Sequence, residues 1–510
     1  MRRGGAWALA GGAVSLLVAL ALFDPYLFTG GDNAAYYALA KALAIGRGFI
    51  DLIAPDAPLE TVYPPGYPVL LVPFYWLFGG SMIGLKLESL MAAGVVLWAT
   101  WALARRDPSV PGWAAPAAVW LLGLAPVFLI YTHWVLSDMS YTAVSLVSLV
   151  LFQRATERPR PARTDARWGG WWLAACLVAL FAFAVRTAGI ALLVAPIGWA
   201  LLARQWRRTA SALATVALGA VPWLVWTAER PPSTGGYLEQ ATASDRLNPE
   251  SAPVPLWTIL DRGWDNFVHY ATIDFPQLFW PVAPVPLGVR AFGLAVGGAL
   301  LAFGAWRALR RRGVAVWDLY ALMTGVILLV WPWTGDRFLL TIAPLLWLYL
   351  LVGLDAAARL MAGGPRPAVI TAGLLAAILF VGAVRGVPRQ WELTRAWLDG
   401  EEFAGYDPFW QDYFQAARWI GQNAPDAVIT ARKPTFAWYF SSRPSLVYPF
   451  HRDPDRTWRF LREEGVTHII LDPRTRDFLA PALAPHIDEL EVVHAAPHRI
   501  VLVVRIAPER

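Results

Sequence analysis

Four charged side chains in a mostly apolar sequence could together move a sugar off a phosphate. Two are carboxylates, Asp32 and Asp138, and two are guanidiniums, Arg186 and Arg337. A carboxylate can take the proton from an attacking hydroxyl. A guanidinium can hold a departing phosphate, whose charge grows as its bond to a sugar carbon breaks. Aromatic side chains between them can stack on a sugar ring. Each residue also has a plainer explanation. Asp32 follows Gly30-Gly31 in a turn and Asp138 follows "HWVLS", so either could cap a helix and complement its dipole. Arg186, in "FAVRTAGIALL", could snorkel from a span to the membrane surface, and Arg337, in "WPWTGDRFLL", could anchor a belt with Trp331 and Trp333.

The elements that hold these four must lie in a membrane. The chain is 57% hydrophobic and only 16% charged, with a mean hydropathy of +0.44, whereas a soluble domain carries about 25% charged residues. The net charge of +6 matters less than where the bases sit, and a nucleic-acid partner is not expected. One cysteine, Cys176, excludes an intramolecular disulfide and any paired-cysteine metal site. His494 and His498 are the only histidines with ligand-like spacing, and they precede a strand rather than lie on a helix, which argues against zinc.

Crossing the hydrocarbon takes roughly 20 apolar residues. Eleven segments qualify, at about 6–28, 84–104, 112–131, 138–153, 169–185, 187–203, 209–227, 286–306, 314–333, 338–355 and 368–387. "MRRGG" before the first, with no small-x-small cleavage site after it, predicts an uncleaved span. With the N-terminus cytoplasmic, the loops at 104–107, 153–167, 204–208, 307–313 and 359–367 fall inside, and every one is basic. The opposite face then receives 29–83, 132–138, 228–285, 334–337 and everything after about 388, and with them all four candidate residues.

Residues 1–387 therefore read as a membrane helix bundle, mainly α, and 388–510 as a small extracytoplasmic α/β domain. Within the latter, 409–425 and 456–465 have helical spacing, the second closed by Gly465, while 426–431, 467–472 and 499–506 read as strands. The proline-rich stretch 62–71 and the following "YPVLLVPFYWLFG" predict an interfacial segment, and 228–285 a lid or long loop.

The order "GGDNAAYYALAKALAIGRG", "YPPGYPVLLVPFYWLFG", "HWVLSDMSYT", "AVRTAGIALL" and "GDRFLLTIAPLL" resembles the GT-C superfamily of polyprenyl-phosphate-sugar glycosyltransferases. The closest branch is similar to the family-39-like bacterial enzymes related to protein O-mannosyltransferases and the lipid A aminoarabinose transferase. The resemblance covers about residues 1–355. It implies an inverting transferase that moves a sugar from a polyprenyl-phosphate carrier to a glycan, lipid or protein acceptor outside the bacterial inner membrane. Asp32 matches the presumed base of the first loop, and Asp138 an acid that assists or positions the acceptor. Arg186 and Arg337 match positions near the lipid phosphate, with Lys86 as a third. Asn33, Tyr36, Tyr63, Pro64, Pro65 and Tyr67 are expected to line the substrate cavity.

Two departures qualify it. The first loop reads Asp32-Asn33 rather than a pair of acids, which weakens the case for a divalent metal there, and no other cofactor is implied. Tyr63 stands where the aminoarabinose branch carries a base, so the donor sugar does not follow from that branch. A transporter or lipid flippase, a partner-binding scaffold, and a ligase or polymerase using diphosphate-linked glycans are the competing readings. A transporter would favour charges at mid-membrane and internally repeated halves.

Overall fold

The computed structural model describes residues 2–30, 32–157, 165–230, 241–244, 253–280, 285–451 and 453–507. Gly31, the middle of the basic loop 153–167, and residues 231–240, 245–252 and 281–284 of the expected lid at 228–285 lie outside the described residues. Among the described residues, six helical stretches are long and apolar enough to cross a membrane. They are Gly4–Ala21, Met82–Ala104, Trp206–Ala228, Leu287–Arg312, Ala343–Ala362 and Arg366–Leu398. Shorter apolar helices run over Gly66–Leu77, Ala114–Gly123, Gly169–Val185, Thr187–Leu202 and Val316–Val330. The chain is a membrane protein built on a helix bundle.

The bundle packs as membrane helices do, through small residues that let backbones approach. A Cβ on Gly304 would lie 1.9 Å from the Tyr349 carbonyl, and one on Gly353 2.0 Å from that of Leu300. Only glycine at both positions allows this crossing. At the end holding the basic loops, Arg312 pairs with Asp107 and Asp318, and Arg106 with Glu157 at 3.2 Å.

One segment differs from expectation. The apolar run 112–131 is not one helix but Ala114–Gly123 and Pro126–Tyr131, because Pro126 has no N–H to continue the ladder and starts a new helix instead. The stretch expected at the interface folds as the twelve-residue helix Gly66–Leu77. In the long loop, the amphipathic helix Leu256–His269 lies against Val316–Val330, where Asn266 Nδ2 donates to the carbonyls of Leu329 and Trp331, both at 2.8 Å.

The C-terminal region adds a five-stranded sheet in the order β2-β1-β3-β5-β4, formed by β1 (Ile429–Thr430), β2 (Ser445–Leu446), β3 (His468–Leu471), β4 (Leu490–Ala495) and β5 (Leu502–Ile506). β1 runs parallel to β2 and β3, while β5 lies antiparallel between β3 and β4. Helices Pro408–Asn423, Pro434–Ser441 and Pro454–Glu463 alternate with the first strands, the last ending before Gly465 as its sequence predicts. This layer is sewn to the bundle. Leu27 N–H donates to the Tyr406 hydroxyl at 2.7 Å, that hydroxyl donates back to the Leu27 carbonyl at 3.0 Å, and Ser445 N–H donates to the Ile53 carbonyl at 2.7 Å. One apolar core runs from Tyr67 and Leu85 in the bundle to Tyr413, Phe414 and Phe436 in the layer.

Candidate active site

Asp32 opens helix Asn33–Ala44 as its N-cap, and its backbone carbonyl accepts the first helical bond from Tyr36 N–H at 2.9 Å. Its side chain accepts no bond from the helix it opens. The carboxylate is therefore not consumed by capping, and it is half-buried. Its neighbours tie the helix in place. Asn33 Oδ1 accepts from Val135 N–H at 3.1 Å while its Nδ2 donates to the Phe28 carbonyl at 3.2 Å. Tyr36 donates to Ser137 Oγ at 3.1 Å, with its ring 4.9 Å from Tyr63 and 4.7 Å from Tyr67. Through these bonds the head of Asn33–Ala44 is held beside the head of Ser137–Thr156, where Asp138 sits.

Asp138 has a different environment. It is 1% exposed and forms an ion pair with Arg186, which stands in extended backbone immediately after helix Asp165–Val185. The guanidinium also lies 5.3 Å from the Phe338 ring. Gly66 fixes this neighbourhood, because a Cβ there would fall 2.5 Å from the backbone of Ala184. That close approach brings Pro64, Pro65 and Tyr67 against the helix end from which Arg186 emerges.

Arg337 stacks at 4.6 Å on its own neighbour Phe338. Next to it, Asp336 Oδ1 accepts from the Tyr131 hydroxyl at 2.9 Å. Arg337 is within electrostatic range of Tyr131 and of Tyr270, to which Arg186 is also close. Arg337 is also within electrostatic range of Lys433, the N-cap of Pro434–Ser441, and so is Asp32. Arg432 and Arg474 complete that group, their guanidiniums stacked 4.3 Å from Phe450 and 4.3 Å from Phe409. Burial pushes the Lys433 ammonium below its ordinary pKa, and the Asp32 carboxylate partly offsets this.

Three of the expected four thus meet around Arg337, and Asp32 joins them through Lys433. Lys86 does not join. It is fully buried, and its ammonium donates to the backbone carbonyls of Asp24, at 2.6 Å, and Tyr26. A lysine so placed clamps the turn that follows the first helix. Asn33, with both ends of its amide bonded to backbone, holds the site together rather than lining an open wall. The two histidines part company: His494 stacks on Trp419 at 4.9 Å and His498 Nδ1 lies 2.9 Å from Asp412. Among the described residues no group of three His, Cys, Asp or Glu side chains is disposed to hold a metal.

No protein-family model matches the chain, and no curated protein matches it. Solved structures do. ArnT from Cupriavidus metallidurans, bound to undecaprenyl phosphate, is similar with a TM-score of 0.58 and 16% identity, over 99% of this chain and 99% of its own. The chain has the GT-C fold. Archaeal oligosaccharyltransferase AglB from Archaeoglobus fulgidus, in complex with an inhibitory peptide and a dolichol-phosphate, matches with a TM-score of 0.58 and 14% identity, over 92% of this chain and 70% of its own.

Within this GT-C fold four further charged groups stand near the centre that sequence reasoning did not single out. Glu88 takes the Ser140 hydroxyl on both oxygens, at 2.7 and 2.8 Å, two residues beyond Asp138. Asp336 lay in the motif "GDRFLL" beside Arg337, so its signal was in plain view. Asp274 is raised to about 7 by burial and by Asp336 beside it, with His269 Nε2 at 3.5 Å. Lys433 had no signal, since only the docking of the C-terminal layer brings it to Asp32.

Proposed function

We propose that the chain is an inverting glycosyltransferase that takes a sugar from a polyprenyl-phosphate carrier and gives it to a cell-envelope glycan, lipid or protein acceptor. In this reading residues 1–387 form the catalytic membrane domain and 388–510 an extracytoplasmic domain. The site opens on the outer face of a bacterial inner membrane and the N-terminus is cytoplasmic. The GT-C fold supports it, as do the carrier phosphates named in the ArnT and AglB structures. The observation that carries it is the Asp32 carboxylate, left out of its own helix cap and within electrostatic range of Lys433, as Arg337 also is.

Asp32 accepts the proton of the acceptor hydroxyl as that oxygen attacks the anomeric carbon. The new carbon–oxygen bond forms on the face opposite the phosphate, whose own bond to carbon breaks, so configuration inverts. The polyprenyl phosphate leaves with increased negative charge. The Arg337 and Arg186 guanidiniums meet that charge. Asp138 holds Arg186 in place and lies where it can position the acceptor. Tyr63 and Pro65, both half-buried, form the wall on which the sugar rests, backed by the buried Tyr36, Pro64 and Tyr67.

The test is reconstitution with a radiolabelled polyprenyl-phosphate sugar and delipidated envelope acceptors. Asp32→Asn is expected to cut covalent transfer by roughly 10²- to 10⁴-fold while the protein elutes and melts as the parent does. Transfer at the parent rate would remove Asp32 as the base. Movement of the carrier across proteoliposomes without covalent product would replace the enzyme by a flippase, and a strict demand for a diphosphate-linked donor would replace it by a ligase.

A further inference from the structure

A cleft of about 250 Å³ lies where helix Asn33–Ala44 meets the C-terminal layer, lined by Tyr37, Lys41, Glu402, Arg418, Tyr439 and Ser442 among others. It is made of two kinds of surface. Tyr37 and Tyr439 meet edge to face at 5.1 Å, with Trp438 6.3 Å from Tyr37 and Phe440 5.0 Å from Tyr439. Around these rings stand a lysine, a hydroxyl, and a carboxylate already paired with a guanidinium, Glu402 with Arg418 at 2.6 Å. Arg418 is held by stacking 4.7 Å from Phe403, and Lys41 lies 5.3 Å over Trp438.

Each feature narrows the occupant. Flat aromatic surface beside a few convergent polar groups suits a ring with one apolar face and a rim of hydroxyls. A hydroxyl both donates and accepts, so it can bond to the carboxylate and the guanidinium of a pair whose charges already balance. An anionic headgroup would meet Glu402. An extended peptide would seek a free strand edge, and the cleft walls are helices and the loops that join them.

The position is as informative as the chemistry. Tyr37 and Lys41 belong to the helix that Asp32 opens, five and nine residues further on, which at 1.5 Å per residue is ~7 and ~13 Å along its axis. We propose that this cleft is an acceptor subsite for an oligosaccharide, holding sugar rings that lie beyond the one whose hydroxyl is brought to Asp32. This rests on the transferase reading above and names its acceptor: a glycan several sugars long, gripped jointly by the first loop and the C-terminal layer.

The experiment is binding of the purified full-length protein in detergent to arrayed oligosaccharides of defined sequence, from one to five sugars, alongside anionic-lipid vesicles and unmodified peptides. Retention is expected on oligosaccharides, rising with length. It should fall about tenfold for the five-sugar probes in Glu402→Gln and in Lys41→Met, as for the loss of a hydrogen bond to a charged group. Binding that ignores length, that both variants leave unchanged, that occurs only on vesicles or peptides, or that is missing altogether would overturn the subsite. Transfer that ignores acceptor length would sink the cleft and spare the transferase, and length-dependent binding with no transfer from any carrier would do the reverse.

Discussion

The acids at the heads of two helices, Asn33–Ala44 and Ser137–Thr156, meet opposite fates. At the head of Ser137–Thr156, Asp138 is 1% exposed and locked to Arg186. At the head of Asn33–Ala44, Asp32 is half-buried, makes no side-chain cap bond, and lies within electrostatic range of Lys433 from a different part of the chain. Both positions read alike as sequence, an acid where an apolar run becomes a helix. What separates them is the partner that tertiary packing supplies. Asp138 receives its arginine from a neighbouring helix of the bundle, inside the low-dielectric interior where an unpaired charge is intolerable. Asp32 stands where the bundle meets the C-terminal layer and keeps its lone pairs open. In the proposed mechanism the first arrangement serves stability and orientation, the second proton transfer.

The sharpest way to break this contrast is to neutralise each acid in turn. Asp32→Asn should leave thermal unfolding of the detergent-solubilised protein near the parent value and remove nearly all transfer. Asp138→Asn should act through the fold, because it removes the buried carboxylate paired with the Arg186 guanidinium. Removing one partner of a buried pair costs roughly 3–5 kcal/mol, which unfolding midpoints will register. Replacing both at once, Asp138→Asn with Arg186→Gln, should recover much of that loss without restoring carrier binding. If Asp138→Asn were as stable as the parent and Asp32→Asn were the one that melted early, the roles would have to be exchanged.

A smaller effect tests whether the C-terminal layer belongs to the site. Lys433→Met removes an ammonium within electrostatic range of Asp32 and Arg337 while keeping the length of the stem. Since the cation acts across space, the expected slowing of transfer is about tenfold, less than for a donor in direct contact with the developing charge. Lys433→Arg should recover part of it. A parent-like rate in Lys433→Met would reduce the layer to a cover over the bundle.

Much of the architecture could be read before any coordinates. Basic loops alternate with long or acidic ones, and this periodicity marks helix-rich membrane segments without reference to packing. The strands "THIILD" and "RIVLVVRI" are short apolar runs with turn residues at their ends, which local chemistry decides. The candidate cluster was less legible, for reasons visible residue by residue. Lys86, just inside a helix on the same side as the others, is indistinguishable in sequence from a phosphate ligand until the turn at Asp24 and Tyr26 is seen to fold over it. Asn33 reads as a wall residue until its amide is found bonded to two distant backbone segments. Lys433 is about four hundred residues from Asp32 in a different layer, and nothing local to either announces the other.

The finest test concerns the loop that backs Tyr36. Glu60 is buried, and one of its oxygens accepts the N–H groups of Val62 and Tyr63, setting the turn that places Tyr63 against Tyr36. Those bonds favour the ionised form, but burial outweighs them and raises the carboxyl from its usual 4.5 to about 7. Below about pH 4.5 the group is protonated in the folded and unfolded chain alike, and the turn carries no penalty. Between about pH 4.5 and 7 the unfolded chain releases the proton while the folded one keeps it, so stability falls as pH rises, and above about pH 7 the loss is complete. Glu60→Gln keeps an oxygen for both N–H groups and nothing to titrate. The unfolding midpoint of the parent should therefore decline between pH 5 and pH 7 relative to that of Glu60→Gln. Parallel curves for the two proteins would mean that Glu60 is ionised in the fold, and that the turn behind Tyr63 is held by a charge-assisted bond, as Arg186 is held by Asp138.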